Sequence, residues 1–199
     1  MKNKYLNPII PMIFAISVVC CIQAAQGQTV STQQSKDFFS DKPYILNLEK
    51  ISELDPKPLK IEKFSPHQDP RAQGIRIIST GRIFPFSYEI INIKDATNPD
   101  ILSSISKSLD NHSDIILKEQ KSNNKLGNYL HYFQRISLEG KPHHVSSNYI
   151  FIKNNIFYHL AANNYAAATS MPRNNWGVEK ADGNAENEVK LLINSMEFK

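Results

Sequence analysis

The sequence contains almost no cysteine. Of its 199 residues only Cys20 and Cys21 are cysteines, and both lie in an apolar N-terminal segment. If this segment is removed by cleavage after Gly27, the remaining chain has no cysteine. That would exclude disulfide bonds, a thiolate nucleophile and thiolate metal ligands. The stability of the folded protein would then have to come from packing.

The sequence also lacks the motifs of the common enzyme classes. It has only 7 glycines. It contains no phosphate-binding glycine loop, dinucleotide fingerprint, Gly-x-Ser-x-Gly elbow or His-Glu-x-x-His pair. Acidic residues lie close together at Glu53 and Asp55 and at Asp110 and Asp114, but such pairs are typical of solvated loops and helix ends. A general acid–base pair needs a desolvated cleft. We therefore predict no catalytic residues, no cofactor and no enzymatic activity.

A strong excess of charge of one sign is absent as well. The 23 lysines and arginines, less Lys2 and Lys4 of the N-terminal segment, exceed the 19 acidic residues by two. This excess is too small to predict a nucleic-acid partner, and no basic cluster with interleaved aromatic residues occurs.

The first 27 residues have the pattern of a secretory signal peptide. Lys2 and Lys4 form a basic start, residues 9–22 are almost wholly apolar, and small residues precede a cleavage point after Gly27. The apolar run of about 14 residues is short for a membrane span, which needs roughly 20. We therefore predict an exported, periplasmic or secreted protein without a membrane span in its mature form. A lipid anchor on Cys21 is the alternative, although a small residue does not precede it.

Residues 28–42 are polar and are predicted to be a flexible lead-in, followed by a single domain over residues 43–199. Runs of β-branched and aromatic residues in this domain are typical of strands. The predicted strands cover residues 44–48, 59–64, 74–79, 86–93, 114–119 and 126–138. Strands that follow one another with inserted helices favour an α+β fold. We predict an antiparallel β-sheet sandwich with its helices packed on one face.

Two stretches are predicted to be helices. In residues 98–111, Asn98 can cap the helix and Pro99 suits its first position, and apolar residues recur at helical spacing. From Ala185 onward, apolar residues again recur at i, i+3, i+4 and i+7. Each helix therefore has one apolar stripe that can cover a sheet.

The most regular stretch, residues 147–160, is predicted to be a hairpin that turns at Asn154 and Asn155, because asparagine tolerates positive φ. This places Phe151 opposite Tyr158. With the preceding turn centred on residues 140–141, Tyr132 would lie opposite Tyr149. Since opposed residues share a face, one apolar face is predicted, formed by Leu130, Tyr132, Ile136, Leu138, Val145, Tyr149, Phe151, Tyr158, Leu160 and Ala162.

The same register predicts that His131 and His159 flank Ile150 on the other face, roughly 10 Å apart. A shared metal ion would require both side chains to lean over the isoleucine, and no carboxylate is placed as a third ligand. We therefore predict no metal site.

The segment 171–177 is the candidate for partner binding, by elimination. It contains Met171, Arg173 and the single tryptophan, Trp176, and tryptophan and arginine are enriched at binding hot spots. The alternative is that Trp176 folds back and closes the end of the sandwich, because large aromatic side chains are buried on average.

The order of elements in about the last 100 residues resembles the PsbP/DcrB-like family. The matching elements are the helix 98–111, the segment 125–132, the strands within 145–160 and the C-terminal helix. The resemblance implies a secreted or lumenal α+β sandwich. The family has no common catalytic residues, and its members look like binding or assembly proteins.

Together these features predict an exported, non-enzymatic binding or assembly protein of the cell envelope. It would recognise a protein or an envelope component through a sheet face or through the segment 171–177. One alternative is a periplasmic inhibitor or immunity protein directed against a toxin. Another is a small secreted hydrolase, which would place His67, His131 or His159 beside a carboxylate in a deep cleft.

Overall fold

A computed structural model describes most of the predicted domain. It covers residues 28–29, 39–53, 55, 57–66, 71–79, 81, 86–96, 98, 100–138, 141–165 and 176–199. The predicted signal peptide, Cys20, Cys21, His67, Met171 and Arg173 lie outside these residues. Within them, no helix is both long and apolar enough to cross a membrane.

The described residues form ten strands and three helices. The strands are β1 (Gln28–Thr29), β2 (Tyr44–Leu46), β3 (Lys60–Phe64), β4 (Ala72–Ile78), β5 (Phe86–Ile93), β6 (Ile115–Asn123), β7 (Gly127–Leu138), β8 (Lys141–Lys153), β9 (Ile156–Asn164) and β10 (Met196–Phe198). The helices are α1 (Leu48–Ser52), α2 (Ile101–Leu109) and α3 (Trp176–Asn194).

Eight of the strands form one antiparallel sheet in the order β1-β3-β4-β5-β9-β8-β7-β6. β1 contributes only two residues to it. The sheet is built mainly from hairpins between sequential strands, and the β5–β9 pairing joins its two halves. The remaining two strands, β2 and β10, form a separate small sheet.

The predicted fold class, an α+β sandwich with helices on one face, is wrong. The described chain is mostly β, with one large antiparallel sheet and only three helices. The second sheet consists of two strands of three residues each, so it does not form the second layer of a β-sandwich. The sequence pattern identified most strands, but it gave too much weight to two helical stripes within a long series of strands.

The two longer helices also cover opposite faces of the large sheet. Helix α3 packs Val189 and Leu192 in one core cluster with Tyr149. Helix α2 packs Ile105 in another cluster with Ile150. Because successive residues of a strand point to opposite faces, we name these the α3 face and the α2 face. Both faces are therefore buried where the helices lie.

The register of the β8–β9 hairpin is confirmed, since Phe151 pairs with Tyr158 and Tyr149 with Leu160. The predicted β7–β8 register is wrong by one position, because Tyr132 pairs with Asn148 instead of Tyr149. A bulge between Ile136 and Ser137 accompanies the change. A shift by one residue moves a strand's side chains to the other face.

This shift explains why the predicted single apolar face does not exist. Leu130 and Tyr132 lie in the α2-face core, whereas Tyr149 and Leu160 lie in the α3-face core. All four are nevertheless buried. His131 and His159 are likewise on opposite faces, so the predicted row in which they flank Ile150 is also wrong.

The helix boundaries differ from the predicted ones at their N-terminal ends. Helix α2 begins at Ile101, and the Asn98 carboxamide accepts a hydrogen bond from the Asp100 N–H before the helix starts. Helix α3 begins at Trp176, nine residues before the predicted start at Ala185. Helix α1 was not predicted; Asn47 caps it by accepting from the N–H groups of Glu49 and Lys50.

Candidate functional site

A chain of three polar side chains lies on the α3 face, across strands β6, β7 and β8. Nδ1 of His131 is 3.1 Å from Oε1 of Glu119, and Nε2 of His131 is 3.2 Å from Oγ of Ser147. A neutral imidazole that donates from Nδ1 to the carboxylate can accept the serine hydroxyl hydrogen at Nε2. The order is therefore carboxylate, imidazole, hydroxyl.

The sheet register and two aromatic rings hold this polar chain in place. Glu119 and His131 are direct Cα partners in the β6–β7 pairing. Tyr149 stacks on the imidazole with ring centroids 4.4 Å apart, and Phe133 meets it edge-on at 4.9 Å. His131 is 1% exposed and Ser147 is 0% exposed.

Burial and hydrogen bonding set the charges of this group. The pKa of His131 is lowered, chiefly because burial disfavours the imidazolium, while the hydrogen bond to Glu119 opposes the shift. The pKa of Glu119 is lowered, first by its hydrogen bond to Lys121 and then by that to His131. The stable state at neutral pH is thus a neutral imidazole beside a carboxylate.

The three side chains have the order of a hydrolase triad, but Ser147 is placed unlike a nucleophile. It lies in the interior of the sheet, where Phe133 is its partner on one side and Ala162 on the other. Its backbone therefore faces a paired strand in either direction, so its N–H cannot contribute to an oxyanion hole. Because Ser147 is fully buried, a substrate cannot approach its hydroxyl.

An ion pair between the buried Glu89 and the partly buried Arg76 lies on the α2 face. Nε and Nη2 of Arg76 are 3.0 Å and 2.9 Å from the same oxygen, Oε1 of Glu89. Arg76 also lies over the ring of Phe64, 5.0 Å from its centroid. Burial raises the pKa of Glu89, and the neighbouring guanidinium opposes that rise. Glu62 in β3 lies opposite Arg76 in β4, and Nζ of Lys60 lies 2.5 Å from Oε1 of Glu62.

A second buried histidine, His159, has only one of its nitrogens bonded. Nε2 lies 2.9 Å from Oδ1 of Asn148, whereas Nδ1 has no hydrogen-bond partner in the structure. Burial lowers the pKa of His159 to about 4. Among the described residues, no three His, Cys, Asp or Glu side chains are grouped so that they could hold a metal ion.

Strand β6 is an accessible edge of the large sheet. Within the described part of the chain, β6 pairs only with β7. Ile116 and Leu117, in this strand, are two of the three exposed large hydrophobic residues described, the third being Ile45. A bulge between Ile115 and Leu117 turns Ile116 out of the regular ladder.

Of the three predicted partner-binding residues, the structure describes only the backbone of Trp176. Trp176 is the first residue of helix α3, so it does not lie in a loop, and Met171 and Arg173 fall outside the described residues. Sequence reasoning missed the contacts among Glu119, His131 and Ser147, and it predicted a strand over residues 114–119 without placing that strand at the edge of the sheet. The run of apolar residues 115–117 followed by charged ones was the available signal for the edge.

The sequence matches no protein-family model. No curated protein and no solved structure matches it either. The resemblance to the PsbP/DcrB-like family therefore stays a prediction.

Proposed function

We propose that this chain is an exported, non-enzymatic binding or assembly protein of the cell envelope, and that it accepts an extended strand of a protein partner at the β6 edge. The observation that carries this proposal is the coincidence of a nine-residue edge strand with two exposed apolar side chains. Such an edge presents unpaired backbone groups that can hydrogen-bond to an added strand.

The two halves of β6 differ in polarity, and this difference would let the edge select one partner strand over others. Ile116 and Leu117 supply apolar contact at one end, and the sequence from Lys118 to Asn123 is polar. Lys118 is held by the backbone carbonyl of Ser106 and the carboxylate of Asp110, so it does not obstruct the edge. Backbone hydrogen bonds would give affinity, and side-chain pairing would select the partner.

The buried polar groups support a binding role over a catalytic one. Glu119, His131 and Ser147 have the bonding order of a triad, yet the serine is enclosed between paired strands. An enclosed hydrogen-bond chain rigidifies a core, which favours a stable scaffold that presents its edge.

Cross-linking in the exported fraction tests the proposal. Full-length wild type is compared with the double variant Ile116→Glu/Leu117→Glu and with Ile45→Glu as a control, because Ile45 is also a large hydrophobic residue and is slightly more exposed, but it lies in β2. We expect the double variant alone to lose the cross-linked partner. Retention of every partner by the double variant would contradict binding at the β6 edge.

Two further variants address the segment 171–177. If Trp176→Ala or Arg173→Ala abolishes the cross-link while Ile116→Glu/Leu117→Glu retains it, the partner binds at that segment and the edge proposal is wrong. The folding of each variant is checked by circular dichroism. Its spectrum must match that of the wild type before the cross-linked partners are compared.

A further inference from the structure

We propose that the strand added at the β6 edge belongs to a second copy of this chain, paired antiparallel about a two-fold axis that passes through Gln120. The inference rests on the proposed function, because both use the same edge. It is carried by the sequence of charges along β6 and by the face on which each side chain lies.

Symmetry restricts how two copies of β6 can pair. A two-fold axis perpendicular to the sheet places the α3 faces of both copies on one side and the α2 faces on the other. Only residues of the same face can therefore lie opposite each other. Glu119 and Lys121 face the α3 side with their β7 partners His131 and Tyr129, whereas Lys118 and Gln120 face the α2 side with Tyr132 and Leu130. The axis must therefore pass through a residue.

Like charges exclude three of the central positions. An axis through Lys118 or through Lys121 would place two lysines opposite each other, and an axis through Glu119 would oppose two carboxylates. Like charges directly opposite are destabilising in antiparallel pairs. An axis through Leu117 would leave only residues 115–119 paired and would include the bulge between Ile115 and Leu117.

The axis through Gln120 opposes charges of unlike sign. It places Glu119 of each copy opposite Lys121 of the other, twice by symmetry, and sets the two Gln120 carboxamides side by side on the opposite face. Residues 117–123 pair over their whole length, and the bulge stays outside. This register alone combines a long overlap with complementary charge.

The side chains that would form the new ion pairs are accessible. Within one copy, Lys121 Nζ is 2.8 Å from Glu119 Oε1, and the lysine and glutamate side chains are 54% and 29% exposed. In the dimer, each Glu119 pairs with Lys121 of the other copy instead of with its own Lys121, so one ion pair replaces another. The charges therefore set the register, and the contact between the strands supplies the affinity. The contact is small for a stable interface, which predicts a dimer that forms only at high protein concentration.

Single introduced cysteines test the register directly. The background is the full-length chain with Cys20→Ser and Cys21→Ser, so that the introduced thiol is the only one. On mild oxidation we expect Gln120→Cys to give a disulfide-linked dimer, because the two copies of residue 120 are adjacent. Two copies of residue 118 would be roughly 14 Å apart along the strand, too far for a disulfide.

Lys118→Cys and Ser122→Cys serve as matched controls. Neither should cross-link to itself, but a mixture of the two should form a heterodimer, because residue 118 faces residue 122 of the other copy in this register. Lys121→Glu, added to Gln120→Cys, should slow the cross-link, since it opposes two carboxylates. Equal rates for the three single cysteines, or no cross-link at 120, would overturn the inference.

The outcomes separate this inference from the proposed function. If Gln120→Cys does not cross-link while Ile116→Glu/Leu117→Glu still loses a captured protein of a different mass, the edge binds another protein and only the inference fails. If Gln120→Cys cross-links but the double variant retains its captured protein, the edge serves self-association and the partner binds elsewhere.

Discussion

Nε2 of His131 lies 3.2 Å from Oγ of Ser147, in the interior of an eight-stranded sheet. Glu119 holds the other nitrogen of the same imidazole. This bonding order resembles that of an activated nucleophile, but its burial makes it part of the core. The difference between the two roles can be measured at Ser147.

Ser147→Ala should lower the free energy of unfolding by about 1–3 kcal/mol, because it leaves Nε2 of the buried His131 without a hydrogen-bond partner. Urea denaturation measures this change. In parallel, a fluorophosphonate probe, which labels activated serines, should leave the folded wild type unmodified because Ser147 is fully buried. Labelling of folded wild type that Ser147→Ala abolishes would show that the serine is an accessible nucleophile.

Local signals in the sequence predicted the β8–β9 hairpin correctly. Asn154 and Asn155 both have positive φ, at 52° and 57°, and the alternation of apolar residues fixed the pairing on either side. The β7–β8 register was not predicted in the same way. Leu138 pairs with Lys141 instead of His143, and the bulge between Ile136 and Ser137 then changes the pairing by one residue. Aromatic and apolar residues occupy both faces of β7, so the apolar pattern of this strand is compatible with either register.

This one-residue shift also hid the candidate polar chain. In the predicted register His131 lies opposite Ile150 and on the same face as His159, whereas in the structure it lies opposite Tyr149. Only this pairing, together with the β6–β7 pairing, brings Glu119 and Ser147 to its two nitrogens. The free edge of β6 depends on strand order, which the sequence of a single chain leaves open.

The ion pair between Arg76 and Glu89 on the α2 face provides a second prediction. Arg76→Met should lower the free energy of unfolding by roughly 3–5 kcal/mol, because it leaves the carboxylate of Glu89 buried without its partner. The double variant Arg76→Met/Glu89→Met should recover most of that loss. Urea denaturation of the wild type, the two single variants Arg76→Met and Glu89→Met, and the double variant gives the coupling energy. A loss in the double variant equal to the sum of the losses in the two single variants would show that the pair is not coupled.

His159 should make the protein sensitive to acid. Its pKa in the folded state is about 4, below the usual 6.5, so between pH 6.5 and pH 4 the unfolded chain takes up a proton that the folded chain excludes. The contribution of His159 to the free energy of unfolding therefore falls as pH falls through this window, by roughly 3 kcal/mol, and this contribution does not change further below pH 4.

His159→Gln should remove this contribution while still donating to Asn148, and His112→Gln, at a more exposed histidine, should not. Glu89, whose folded-state pKa is raised, acts in the opposite direction, since its contribution is present at low pH and is lost as pH rises through its folded-state pKa. It is common to wild type and variants, so it cancels in the difference between their pH profiles. Identical profiles for wild type and His159→Gln would contradict the prediction.

The turn between β8 and β9 should respond to substitution according to its backbone. Asn155 has a φ of 57°, a conformation that glycine adopts without strain and that β-branched residues avoid. We expect Asn155→Gly to leave the free energy of unfolding within about 0.5 kcal/mol of wild type or to raise it, and Asn155→Val to lower it by about 1–2 kcal/mol. Thermal and urea unfolding measure both changes. The side chain of Asn154, by contrast, donates to the carbonyl of Lys199 at 2.6 Å, so Asn154→Gly should lower the stability by removing that bond even though its backbone suits the turn. If Asn155→Val were as stable as Asn155→Gly, the positive φ at this turn would not be a constraint on the fold.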